Sequence, residues 1–139
     1  MPNVQLLDTA RVRAVETLNL IKDSSGEKRT MLTLYKEFLK TGRKEIADAH
    51  NGGAPGLDVA ARRSALMDVL LADIFRHFLV ETQAAQKTKL ENPVTIVASG
   101  GYGRGQLNPG SDIDLQFLVP GSSHSLHPSV AELVNQVSL

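Results

Sequence analysis

The chain has 139 residues, enough for one domain with a modest core, and its 15 Lys and Arg balance 15 Asp and Glu. Charge neutrality gives no electrostatic case for nucleic acid or for a solvating acidic tail. The lack of cysteine excludes disulfides, thiolate chemistry and cysteine-ligated zinc. No run approaches the ~20 apolar residues of a membrane span, and Met1 to Gln5 has no signal-peptide character. The expectation is a cytoplasmic protein with neither nucleic acid nor membrane as partner.

In chain order, Val4 to Ile21 reads as a helix through Leu6, Leu7, Val12, Val15, Leu18 and Ile21. Asp23-Ser24-Ser25-Gly26 breaks it. Glu27 to His50 predicts a second helix, with Met31, Leu34, Tyr35, Phe38 and Leu39 on one face. A loop at Asn51-Gly52-Gly53-Ala54-Pro55-Gly56 follows. A third helix, capped by Asp58, is expected to reach about Lys87, with Leu66, Leu70, Leu71, Ile74, Phe75 and Phe78 as its apolar stripe. Arg62, Arg63, Lys87 and Lys89 fall on solvated faces. These helices are expected to serve packing.

At Pro93 the pattern changes. Val94-Thr95-Ile96-Val97-Ala98 is β-branched and nearly all apolar, as in a strand buried on both faces. After a glycine-rich turn, Ile113 to Val119 begins as an alternating strand, ended by Pro120-Gly121-Ser122-Ser123. The reading is α+β: N-terminal helices (1–90, a helical lead-in), then strand, Gly-rich turn, short helix and strand (91–139). The last segment reads as a helix from near Pro128 and stops at Val137-Ser138-Leu139 without a cap, so a truncated chain is expected.

The chemistry is concentrated in the run from Ser99 to Leu115. On a strand, Asp112 and Asp114 would point to one side, roughly 6–7 Å apart at the backbone, with Ile113, Leu115 and Phe117 facing the core. Two carboxylates at that spacing repel by about 2–3 kcal/mol at an effective dielectric near 20, a cost that a divalent cation removes. Mg²⁺ commonly takes one or two carboxylates plus substrate phosphates. Gly100 and Gly101 allow a sharp turn beside a ligand. A short helix starting near Gly101 would aim free amides at a phosphate, and Arg104 could add a charge-assisted contact. The parts describe one ligand, a metal-bound triphosphate.

Either half alone is a weak signal, because glycine turns and surface Asp-x-Asp pairs are common. A dinucleotide fingerprint fails on spacing, since Pro109-Gly110 interrupts the helix it would need. The combination between two strands is informative. His50 and His77 on helices, and His124 and His127 in a loop, lack the further ligands a metal site requires.

Gly100-Gly101, ten residues and then Asp112-Ile113-Asp114-Leu115 resembles the pattern of polymerase-β-type nucleotidyltransferases. The longer run Gly-Gly-Tyr-Gly-Arg-Gly-Gln-Leu-Asn-Pro-Gly-Ser-Asp-Ile-Asp-Leu is similar to that of PII-protein uridylyltransferases, over about residues 97–119. The resemblance implies the start of a polymerase-β-like sheet, with Asp112 and Asp114 as catalytic ligands of Mg²⁺. It places Gly100 and Gly101 against the triphosphate, with Arg104 and Ser111 as supporting contacts. The implied reaction moves UMP from UTP to a tyrosine of the PII signal protein.

Gln106 departs from the usual Glu of that family and Gln116 from an apolar residue. Many members of the superfamily use a third carboxylate from a later strand, and nothing after Asp114 supplies one: Glu132, the sole downstream acid, falls on the expected terminal helix and reads as solvated. With no counterpart of the family's phosphohydrolase and ligand-sensing domains in this sequence, the chain is expected to be the opening of such an enzyme. Weak binding or inactivity of the chain alone is expected because half the cleft wall would be missing. The alternatives are an adenylyltransferase acting on glutamine synthetase or another protein, a silent nucleotide-binding module, and a helical interaction domain.

Overall fold

Proline at the first turn of a helix loses no hydrogen bond, because that amide has no intrahelical acceptor; Pro2 occupies this place in α1 (Pro2–Ser24). The computed structural model describes residues 2–24, 30–86 and 94–119, with residues 121, 128 and 131. The buried stripe of α1 is Ala14, Thr17, Leu18 and Ile21, one face at helical spacing. Val12 and Val15, expected on that face, are exposed instead. The stripe is set by α2 and α3, both of which α1 packs against.

The second helix, α2 (Met31–Asn51), starts at Thr30, whose Oγ1 accepts the Thr33 N–H at 3.3 Å. Residues 25–29, where an earlier start was expected, lie outside the described residues. Leu34, Tyr35, Phe38, Gly42 and Ile46 are buried, and Gly53, at φ 94°, lies just past its end. The third, α3 (Gly56–Gln86), begins two residues before Asp58. Asp58 does not cap it: the Pro55 carbonyl accepts the Val59 N–H at 3.1 Å, and Asp58 pairs with Arg62 at 2.8 Å. The solvated reading of Arg62 therefore needs this ion pair added.

All three helices pack on one another around Phe38, Leu66 and Leu70. Gly42 lets α2 approach α3, since a methyl there would overlap the Leu66 side chain. Inside this bundle Asp73 is buried, accepting from Tyr35 Oη at 2.8 Å and from Lys22 Nζ at 2.7 Å. One carboxylate thus ties all three helices together. His77, expected to lack a partner, lies 3.3 Å from Glu81, one turn along α3. No helix among the described residues is long and apolar enough to cross a membrane.

The chain then forms β1 (Thr95–Ala98), a single helical turn α4 (Gly100–Gly103) and β2 (Leu115–Leu118). The strands are antiparallel, with Ala98 opposite Leu115 and Ile96 opposite Phe117. Helices followed by this small sheet make the architecture α+β. The strands differ from expectation in burial. Thr95 is exposed and the other residues of β1 are half-buried, so β1 is not covered on both faces. Along β2, Leu115 and Phe117 are half-buried while Gln116 and Leu118 are exposed. Cross-strand partners share a face, so Ile96, Ala98, Leu115 and Phe117 form the more buried side. Glu132, His124, His127, Lys87, Lys89 and most of the segment after Pro120 lie outside the described residues.

Candidate nucleotide site

Strand β1 ends at Ala98 because the next residues leave the ladder. Ser99 is extended, and Gly100 adopts φ 62°, a conformation that costs any residue with a β-carbon. Opposite this turn, β2 begins only at Leu115. Asp112, Ile113 and Asp114 precede it and are not part of the strand. The physical reason is that no partner backbone continues past Ser99. The last connection is the Ser99 N–H donating to the Asp114 carbonyl at 3.0 Å. Ile113, expected in the core, is 39% exposed.

That connection, to which the Ser99 hydroxyl adds a bond to the same carbonyl at 3.5 Å, brings the two halves of the motif together. A β-carbon on Gly100 would lie 2.7 Å from Asp114 Oδ2. The carboxylate therefore occupies the space that a side chain at position 100 would need. Gly101 follows, and Arg104 Nη2 lies 4.0 Å from where its β-carbon would be, so the guanidinium folds back along the turn. Gly103 is equally constrained, with the Ala98 carbonyl oxygen 2.5 Å from its would-be β-carbon. The expected short helix is one turn of four residues. Too few peptide units are aligned there for a macrodipole to matter, so attraction of an anion would rest on free amides and on Arg104.

Ser111 closes a turn from Asn108, donating its N–H to the Asn108 carbonyl at 3.1 Å, with Gly110 at φ 76°. This turn carries the chain from the glycine-rich segment to Asp112. Arg104, Ser111, Asp112 and Asp114 are all exposed, and Gly101 is half-buried. Among the described residues no three of His, Cys, Asp and Glu gather as a metal cage. A pair of exposed carboxylates with no soft donor beside it suits a hard cation that completes its shell with phosphate and water.

A cleft of about 720 Å³ lies between α1, α3 and the sheet and is lined by Val15, Leu18, Phe75, Ile96 and Leu115, among others. It does not include Asp112, Asp114 or Gly100. The motif touches it only through Ala98, Tyr102 and Leu115.

What sequence reasoning missed is the seating of the turn on the helices. Tyr102 is buried and donates its hydroxyl to Asp68 Oδ1 at 2.7 Å. Asp68 Oδ2 accepts from Arg11 Nε at 2.6 Å. Burial, reinforced by the Asp68 carboxylate, pushes the Tyr102 phenol far above the usual tyrosine range, keeping it a donor. Burial would lower the Arg11 guanidinium, but hydrogen bonds and charge from Asp68 and Asp8 outweigh that and raise it. Further along, the Leu107 N–H donates to Ser64 Oγ at 2.9 Å, and Ser64 donates to the Ala60 carbonyl at 3.0 Å. Gly105, at φ 69°, would place a β-carbon 3.0 Å from Leu7 Cδ2. A signal existed: Ala60, Ala61, Ser64 and Ala65 form a second buried, small-residue face on α3, with Asp68 one turn beyond Ser64. Small and polar residues at that spacing mark a face on which backbone docks.

Residues 81–137 match the family model described as Nucleotidyltransferase domain. That match takes in β1, α4, β2 and every candidate site residue, and nucleotidyl transfer is the class of activity it supports. At the level of particular proteins, the chain is similar to the bifunctional uridylyltransferase/uridylyl-removing enzyme of Rhodospirillum rubrum, 31% identical over 113 residues, 81% of this chain and 12% of that protein. The enzyme of the same name from Thiobacillus denitrificans is 38% identical over 85 residues, 61% of this chain and 9% of that protein. The chain spans about a tenth of the length of these curated relatives. The similarity read from the motif therefore extends beyond it, into the helices. No solved structure matches.

Proposed function

We propose that this chain supplies the triphosphate-binding part of a uridylyltransferase that moves UMP from UTP to a tyrosine of a PII-type signal protein in the cytoplasm. The observation that carries this reading is the closure of Asp114 onto Gly100, which puts a carboxylate against the glycine turn within the matched nucleotidyltransferase segment. Asp112 and Asp114 would hold Mg²⁺, which neutralises phosphate charge during transfer. Gly100 and Gly101 would lie against the triphosphate, Arg104 adds positive charge, and Ser111 stands at the turn leading to Asp112. The acceptor phenol oxygen bonds to the α-phosphorus as the bond to the β-phosphate oxygen breaks. Pyrophosphate departs and the phenolic proton passes to water. Uridylyl transfer enters this reading through the relatives' name, while UTP as donor and PII as acceptor rest on the resemblance of the long motif alone.

A second reading, a nucleotide-binding module without transfer, is favoured by one observation: no third carboxylate joins Asp112 and Asp114 among the described residues. An adenylyltransferase acting on glutamine synthetase or another protein differs in the base bound and in the acceptor. Calorimetric titration of UTP and of ATP, each with and without Mg²⁺, tests these readings. Mg²⁺-dependent binding with UTP preferred over ATP supports the uridylyl reading, and ATP preference supports the adenylyl one. Absence of binding by a folded sample removes both for the chain alone. Labelled UMP appearing on PII separates the enzyme from the module.

A further inference from the structure

The glycine-rich turn is held at a distance from its own backbone by two helices that do not contribute to the motif. Flexible glycines are useful beside a ligand, but they lose more conformational entropy on ordering than other residues. A turn with Gly100, Gly101, Gly103 and Gly105 in six residues needs an external restraint to keep one shape. Within that stretch Tyr102 is buried and reaches out of the turn to a charged partner on another element. Its partner Asp68 is fixed in turn by Arg11, so the chain of contacts runs α1 to α3 to the turn through Arg11 Nε, Asp68 and Tyr102 Oη, at 2.6 and 2.7 Å.

We propose that Arg11, Asp68 and Tyr102 form a positioning relay, in which α1 and α3 hold the glycine-rich turn in its triphosphate-accepting shape without touching the nucleotide. The affinity of the turn for a nucleotide triphosphate then depends on residues one and two helices away. This inference rests on the nucleotide-binding reading above for its ligand. The geometry favours a positioning role for Tyr102 over a bonding one. Its hydroxyl is committed to Asp68, while Gly100 and Gly101 on the preceding side remain at least partly open to solvent. Asp68 is suited to the central place because each of its oxygens accepts from a different element. A hydroxyl bound to a carboxylate is stronger than a neutral pair.

The test compares Tyr102→Phe, Asp68→Asn and the double variant with the unmodified chain in two measurements. The first is amide hydrogen exchange at Gly103, Gly105 and Gln106, whose N–H groups donate within the turn. The second is the response to Mg²⁺-UTP and Mg²⁺-ATP, read by chemical-shift titration so that weak binding registers. The relay predicts that turn amides exchange about tenfold faster in each single variant, with no further increase in the double, while amides in the middle of α2 are unchanged. Nucleotide affinity should fall by a similar factor, again without addition in the double variant.

Unchanged exchange in the turn of a folded Tyr102→Phe protein would overturn the relay. So would a loosened turn with unaltered nucleotide affinity, because shape would then not govern binding. Equal acceleration in α2 would assign Tyr102 to general stability and also overturn it. If the unmodified chain shows no shift with either nucleotide while the turn still loosens in the variants, the nucleotide reading fails and the mechanical relay stands.

Discussion

Asp114 Oδ2 lies where a side chain on Gly100 would have to go, 2.7 Å from the β-carbon position. Residues fourteen apart thus share one space, joined by the Ser99–Asp114 backbone bond. The glycine has two physical reasons to be there: its positive φ and the carboxylate beside it.

Gly100→Ala is expected to lose on both counts. An L-residue in the left-handed region costs roughly 1–2 kcal/mol, and the methyl must displace Asp114. We expect a loss of about 1–2 kcal/mol in urea denaturation together with loss of Mg²⁺-dependent nucleotide binding. Asp114→Asn should reproduce the second effect with little of the first, because Asp114 is exposed. Equal stability losses in the two variants would show that the Asp114 carboxylate itself helps to hold the turn, against this expectation.

Ser64→Ala removes the acceptor of the Leu107 N–H, which is buried at the join between α3 and the motif. A buried donor left without a partner costs about 1–3 kcal/mol. The loss should be seen in thermal denaturation, and the Leu107 amide should become the fastest newly exchanging site. Cysteine or threonine at 64 tests whether an acceptor of another size restores the docking. Stability within ~0.5 kcal/mol of the parent in Ser64→Ala would mean water replaces the hydroxyl at no cost.

The Asp73 knot gives a pH dependence. Burial pushes this carboxyl up, but hydrogen bonds from Lys22 and Tyr35, with Lys22 and Arg76 charge, outweigh it and hold it below its ordinary value. The folded chain therefore binds fewer protons at this group than the unfolded chain. Its contribution is complete above the unfolded carboxylate value near 4 and is lost as pH falls through the lower folded value. Asp73→Asn should lower Tm at neutral pH and flatten the decline of Tm below about pH 4. A parallel decline in variant and parent would remove Asp73 as the cause.

Gly42 sits where α2 crosses α3, and a methyl there would overlap Leu66. Gly42→Ala gains about 1 kcal/mol of helix propensity but loses about 1–3 kcal/mol to overpacking. The expected net result is destabilisation by about 1 kcal/mol, read from denaturant midpoints. Leu66→Ala should cost less in the Gly42→Ala background than in the parent, since the two changes exchange volume at one contact.

Most of the helical content was legible because it depends on short-range order. Phe38 and Leu34 on α2 and Leu66 and Leu70 on α3 follow the helical period directly, and they are buried. On α1 the same rule picked Val12 and Val15, which are exposed. Periodicity reports which residues could share a face, and the neighbouring helices decide which face is covered. The strand ends shifted for a similar reason. Asp112 to Asp114 continue the alternation of β2, but a strand needs a partner, and β1 turns away at Gly100.

Residue order alone therefore determined the three helices, the two short strands and the grouping of Gly100, Gly101, Arg104, Ser111, Asp112 and Asp114 in one segment. These depend on the chain's local preferences and on spacing within about fifteen residues. Tertiary structure decided the closure of Asp114 onto Gly100 and the seating of Tyr102 on Asp68 and of Leu107 on Ser64, thirty-four and forty-three residues away. Such pairs carry no periodic signature: a hydroxyl, a carboxylate and an amide acquire their partners only when packing of the helices removes the competing water.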